Sequence, residues 1–260
     1  MALSARRPLI DPLYSEFAEQ YDVRFPGQTS IGVDGDIAFY TRLAGEANGP
    51  VVEIAVGTGR VAIPMVLAGV QVLGLDLSPQ MLAIARRKAT ERAVERELGL
   101  AVADMRSFAL SRPAALITIP ARAFMHNLTT DDQLATLAAC RAALRPGGRL
   151  ALNIFNPNLE MIAHCMQLPP EDREQPGTQL PGELETRDYD PSEQRVDTRL
   201  KMRAPDGQNV VAIRLRWIYR FEMEHLLARS GFEVEELYGD FDGNRFDITS
   251  TELVWVARAV

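Results

Sequence analysis

Three carboxylates close three successive apolar runs of this 260-residue sequence: Glu53 in VVEIA, Asp76 in QVLGLD and Asp104 in LAVAD. Between the first two lies VGTGR, where Gly57 and Gly59 allow a tight backbone turn and the close approach of a ligand that a Cβ would block. A carboxylate four residues before Gly57 attracts an ammonium group and repels a pyrophosphate. The carboxylate of Asp76 can accept from both hydroxyls of a ribose, and that of Asp104 from an adenine amine. Together the three suit a nucleoside ligand that carries an amine and no phosphate.

The same loop supports a second reading. Gly57, Gly59 and Ala62 complete G-x-G-x-x-A, and Asp76 follows Gly57 by 19 residues, as in the fingerprint of dinucleotide sites. A nicotinamide-dependent, NAD(P)-binding Rossmann oxidoreductase is therefore the alternative, and the charge of Glu53 argues against it.

Further reactive side chains follow a fourth apolar run, AALITIP (114–120). In an open α/β sheet, Ile119 to His126 (IPARAFMH) would lie in the crevice beyond the strand ends, where reacting groups are held. An imidazole titrates near neutrality, so His126 is a candidate general base, with a structural hydrogen bond as its plainer role. The Arg122 guanidinium suits a bidentate grip on an acidic substrate, or simply sits in solvent. Phe124 would face the substrate. Tyr21 either staples an amino-terminal arm to the core or lays its ring against a cation. Leu77, Met81, Met105 and Ile119 are apolar candidates for the faces of a flat ring, although residues so spaced are core in any such fold.

These residues need elements to hold them. From Pro50 the chain alternates short apolar runs with amphipathic patterns: a strand at VVEIA, a helix over 61–68, a strand at QVLGLD, a helix over 79–98 and a strand at LAVAD. A strand over 114–120, a helix over 131–144 opened by Thr-Thr-Asp-Asp, the turn Arg145-Pro146-Gly147-Gly148 and a strand over 149–155 follow. A helix over 221–230 and strands over 232–238 and 252–259 close the chain. This rhythm predicts an α/β fold: a Rossmann-like, doubly wound seven-stranded sheet, mostly parallel with an antiparallel last strand, plus a β-rich insertion. The division it predicts is a helical arm or lid over 1–48, a core over 49–155 and 221–260, and an inserted substrate cap over 156–220.

At these motifs the sequence resembles the class I S-adenosylmethionine-dependent methyltransferases, over roughly 50–155 and again 221–260. By that resemblance Glu53 to Gly59 is the methionine-binding motif, Gly74 to Leu82 the ribose motif, Ala103 to Met105 the adenine motif, and Arg145 to Gly148 the turn before the fifth strand. The implied cofactor set is Tyr21, Glu53, Ala55, Gly57, Thr58, Gly59, Arg60, Asp76, Leu77, Met81, Asp104, Met105 and Ile119, with Phe124 on the substrate and His126 and Arg122 at the reaction. Ala55 stands where the family more often has Gly, which is similar to an A-x-G-x-G variant of some sugar-amine N-methyltransferases. The Tyr21-Asp22 pair and the β-rich cap also look like that branch and the glycine N-methyltransferases.

Composition narrows the partners. A formal net charge of -7 gives no general grip on nucleic acid, which needs clustered Lys and Arg. No run approaches the roughly 18 apolar residues needed to cross a bilayer. Two cysteines, Cys140 and Cys165, lack metal-ligand spacing, and the first ten residues lack the apolar run of a signal peptide. The expectation is a cytoplasmic monomer or homodimer, without metal, that uses S-adenosyl-L-methionine to methylate nitrogen or oxygen of a small polar metabolite. A non-catalytic cofactor-binding partner subunit remains the other reading.

Overall fold

A computed structural model describes residues 10–24, 33–169, 174–176, 184–202 and 209–260. Its main sheet has seven strands: β1 (Val51–Ile54), β2 (Val72–Asp76), β3 (Leu98–Val102), β4 (Ala114–Ile119), β5 (Leu144–Phe155), β10 (Phe232–Tyr238) and β11 (Glu252–Ala259). Their order is β10-β11-β5-β4-β1-β2-β3. β1 to β5 run parallel, and β11 lies antiparallel between β5 and β10. β1 and β4 are buried at every position, as central strands covered on both faces must be. The sheet is therefore the expected one, with its antiparallel strand last in the chain.

Helices α2 (Asp36–Glu46), α3 (Ala62–Leu67), α4 (Pro79–Glu91), α5 (Thr130–Ala143) and α7 (Arg220–Arg229) connect and cover the strands. Ser78 caps α4 and Thr129 caps α5, each side chain accepting the backbone N–H three residues on, from Met81 and Asp132. α4 stops at Glu91 and does not reach Leu98. Ala93 takes a left-handed conformation, φ 54°, while the Val94 N–H bonds the Ala89 carbonyl. That is a Schellman closure built on alanine, so no glycine marks it in the sequence. β5 likewise begins before the expected Arg149: Leu144 already pairs with Ala114, and Arg145 to Gly148 form an irregularity inside the strand.

A second sheet of four antiparallel strands, β6 (Glu174–Pro176), β7 (Leu184–Asp190), β8 (Arg195–Met202) and β9 (Asn209–Arg216), lies between β5 and α7 in the chain. It is the β-rich insertion that the sequence predicts. Before it comes α6 (Leu159–Gln167), capped by Asn158 and not among the expected helices.

The arm begins with a 3-10 turn, Pro12–Tyr14, followed by α1 (Ala18–Arg24). Leu13, Phe17 and Tyr21, spaced by four, pack on Met81 and Ile84 of α4 and on Ile213 of β9. The arm thus bridges the main sheet's helices and the second sheet. The sequence breaks the helical pattern of the arm at Phe25-Pro26-Gly27, which lies outside the described residues. No described helix is long and apolar enough to cross a membrane.

Candidate cofactor and reaction site

The glycine loop leaves β1 at Ile54 with three left-handed residues: Ala55 (φ 55°), Gly57 (φ 54°) and Gly59 (φ 80°). A Cβ on Gly59 would come within 2.9 Å of the Ile63 side chain, so this position needs glycine for space as well as conformation. Ala55 adopts the same conformation with a Cβ, a strain of roughly 1 kcal/mol or more. Thr58 and Arg60, expected on the ligand, are engaged within the protein. The Thr58 hydroxyl donates to Asp22 Oδ1 at 2.8 Å and accepts from Lys88 Nζ at 3.1 Å. Arg60 makes a two-pronged ion pair with the wholly buried Asp36 of α2.

Glu53 lies at 2 % exposure under this loop, and its Oε2 has no hydrogen-bond partner. Burial pushes its carboxyl well above the usual range; Arg60 pulls it down, and Asp36 and Asp76 push it further up. Asp76, at the end of β2, accepts the Gly57 N–H at 2.8 Å and the Ser78 N–H at 2.8 Å, one on each oxygen. Burial raises its pKa while those amides oppose. The Leu77 amide bonds this carboxylate as well, so of its roughly four lone-pair sites about one remains for a ribose hydroxyl. Asp104 is held by Arg106, which also reaches Asp132 at 2.7 Å. Burial pushes the Asp104 carboxyl up, but the Arg106 bonds and charge outweigh it and leave the group below its ordinary value. An adenine amine would therefore share Asp104 with a guanidinium. Leu77 and Met105 are half-buried beside these carboxylates, whereas Met81 and Ile119 are buried in the core.

Beyond β4 the chain makes two consecutive left-handed residues, Ala121 and Arg122, before a 3-10 turn, Ala123–His126. Phe124 is fully buried in the main core, so its ring faces packed side chains and not a surface crevice. The Arg122 guanidinium lies on Glu252 of β11, with Nε to Oε1 at 2.8 Å. It is therefore committed within the protein and not extended toward a substrate. His126 sits where three parts of the chain meet. Tyr14 of the arm touches its Nε2 at 3.3 Å and stacks edge-on at 5.3 Å. Asp11 of the arm lies 3.8 Å from Nδ1, and the Arg214 backbone carbonyl of β9 accepts from the ring. Burial pushes the imidazole down to about 4, the Arg214 carbonyl opposing.

Several of these partners escaped sequence reasoning: Asp11, Tyr14, Asp36 and Glu252. Tyr14 shares the helical spacing of the arm's aromatics, but for the others the only signal is the residue type, because each acts across a long sequence gap. Tyr21 is buried with its ring 6.0 Å from that of Tyr14, which places both tyrosines of the arm near the β4 loop.

Carboxylates at the ends of β1 and β2, a glycine loop between them and this strand order are the frame of the class I S-adenosylmethionine-dependent methyltransferases, and the chain has the fold of that class. Residues 51–148 match the model of the methyltransferase domain. In structure the chain is similar to the CcbJ methyltransferase of Streptomyces caelestis, with TM-score 0.78 and 28 % identity over 94 % of this chain and 96 % of that one. It is also similar in fold to CalS10, an amino pentose methyltransferase of Micromonospora echinaspora with S-adenosylmethionine bound, with TM-score 0.64, 19 % identity and 94 % and 97 % coverage. A ubiquinone biosynthesis O-methyltransferase of Xanthomonas euvesicatoria is 27 % identical over 42 % of this chain and 44 % of its own length. The match thus spans less than half of that relative. S-adenosylmethionine is the cofactor of the domain, and the orphaned Glu53 oxygen together with the remaining acceptor capacity of Asp76 fits its amine and its ribose.

Proposed function

We propose that the chain transfers a methyl group from S-adenosylmethionine to nitrogen or oxygen of a small polar metabolite. In this reading 49–155 and 221–260 hold the cofactor, 1–48 close over it and 156–220 cap the acceptor. The observation that carries it is the buried Glu53 carboxylate with an unpartnered oxygen beside the glycine loop. Such a group needs a cation, and a pyrophosphate there would be repelled. When bound, the cofactor supplies a methyl group made transferable by its sulfonium. Glu53 would take the amine, Asp76 a ribose hydroxyl, and Leu77 and Met105 the adenine faces. Tyr14 and Tyr21 would exclude water from the transfer and lend ring faces to the cation. Most of the rate then comes from holding acceptor and methyl carbon in line.

S-adenosylmethionine and its demethylated product should raise the unfolding midpoint by mass action, about 2.7 kcal/mol at a hundred times Kd, and NAD should not. A thermal scan in which NAD alone protects would overturn the reading. In the same assay Asp76→Ala should weaken cofactor binding by roughly 1 to 3 kcal/mol, the cost of unpaired buried polar groups.

The arm carries its own prediction. It is clamped to α4 by Lys88–Asp22 at 2.6 Å and by Arg87–Glu19, and to the glycine loop by Asp22–Thr58. Asp22→Ala cuts two of these at once. Hydrogen exchange over residues 13–24 should speed up in the variant and slow again when cofactor is added. Exchange that ignores both changes would refute the lid.

A further inference from the structure

The strained turn after β4 is tied down by a buried polar network whose members come from four separate elements. Glu252, at the start of β11, has a side chain only 6 % exposed, and its Oε1 accepts from Arg122. Its Oε2 accepts from Asn153 Nδ2 of β5 at 2.9 Å. Asn153 Oδ1 in turn accepts from the Tyr40 hydroxyl of α2 at 3.1 Å and lies 3.5 Å from the Arg122 backbone N–H. Asn153 and Tyr40 have no exposed surface. The Arg122 guanidinium also lies 5.6 Å from the centre of the Phe155 ring.

Ala121 and Arg122 both carry a Cβ in the left-handed region, where single residues are uncommon and pairs more so. Such a conformation persists when its surroundings over-determine it. Here they do: one arginine is fixed by its side chain, through a buried countercharge, and by the approach of its backbone N–H to Asn153. The two residues then aim the 3-10 turn that ends at His126. Released, the pair would relax to ordinary backbone angles and swing the turn away from Tyr14 and the Arg214 carbonyl.

We infer that Glu252 and Asn153 are positioning residues: acting through Arg122, they hold the loop that sets His126 against the arm. The inference rests on the proposal that this loop borders the reaction site. It gives the last strand of the sheet a role at the site, since β11 is antiparallel and so brings its first residue to the edge where β4 and β5 end.

The test reads His126 by imidazole NMR, with His126→Gln assigning its signals among the three histidines. In Glu252→Gln the shape is kept but the countercharge of Arg122 is lost. The His126 ring signals should move and its titration should rise by at least one pH unit from about 4, because the turn no longer buries the ring. Calorimetric affinity for S-adenosylhomocysteine should stay within about threefold of wild type, since Glu53 and Asp76 lie at other strand ends. A merely structural role would lower the midpoint and leave His126 alone. Unchanged His126 signals and titration in folded Glu252→Gln overturn the inference. Asn153→Ser, which removes no charge, gives the same two readings should Glu252→Gln not fold. Failure of the wild-type protein to bind S-adenosylhomocysteine would instead strike the proposed function and leave the positioning result standing.

Discussion

Glu53→Gln should strengthen the cofactor-free protein and weaken the cofactor complex. The carboxyl is buried, one of its oxygens has no partner, and Arg60, the cation whose charge acts on it, already holds Asp36. A glutamine of the same shape removes the cost of burying charge there, which should raise stability at pH 7 on the order of 1 kcal/mol, or about 2 to 4 °C. The complex loses the partner of its amine. Truncating one member of a buried charged pair costs about 2 kcal/mol or more, so S-adenosylmethionine affinity should drop at least about 30-fold.

The pH dependence follows the same cause. The folded carboxyl holds its proton above the unfolded value of 4.5. Its contribution is therefore full below that value and is lost as pH rises through the folded pKa. Wild type should lose stability relative to Glu53→Gln as pH climbs from about 4.5, and saturating cofactor should cancel the difference. Calorimetry and thermal scans check both halves. A variant that is less stable at pH 7 and binds as tightly as wild type would show that Glu53 serves the fold and not the ligand.

How much of this was legible depended on distance along the chain. The seven-stranded core, the glycine loop and the strand-end carboxylates follow local rules of period, turn chemistry and strand ends, so VVEIAVGTGR and QVLGLD could be read directly. Ala93 and Ala55 show where local rules fail: both take left-handed backbone with no glycine to announce it. Arg122 shows the larger gap. Its partner Glu252 lies 130 residues away, and no periodicity connects a guanidinium after β4 with a carboxylate before the last strand. The substrate role expected of Arg122 rested on its type and loop position, while the buried countercharge that occupies it exists only once β11 inserts beside β5. Likewise Tyr14 reaches His126 across 112 residues, so the arm could be seen as helical without its contact being seen.

His126 decides whether the enzyme moves protons or only positions groups. As a free base titrating near 6.5 it would impose a rise in rate through that pH. Burial pushes it to about 4, so from pH 5 upward the ring is already neutral and no inflection near 6.5 should come from it. A conjugate acid that strong also makes a weak base for a hydroxyl or an ammonium. The ring instead links Tyr14 of the arm to the Arg214 carbonyl of β9, and His126→Gln should spare most of the turnover, with a loss below about tenfold. The substitution should alter acid stability far more. The unfolded imidazole takes its proton below 6.5 while the folded one refuses it down to about 4, so stability present above 6.5 is lost as pH falls between these values. At about 1.4 kcal/mol per unit, and with 27 % of the side chain still exposed, the loss is on the order of 2 kcal/mol. Wild type should show it and His126→Gln should not, which isolates the histidine from carboxyls such as Asp11 and Glu252, whose raised values act in the opposite direction. A fall in turnover of 100-fold or more, with acid stability unchanged, would restore the imidazole as the base and remove it as the link between arm and cap.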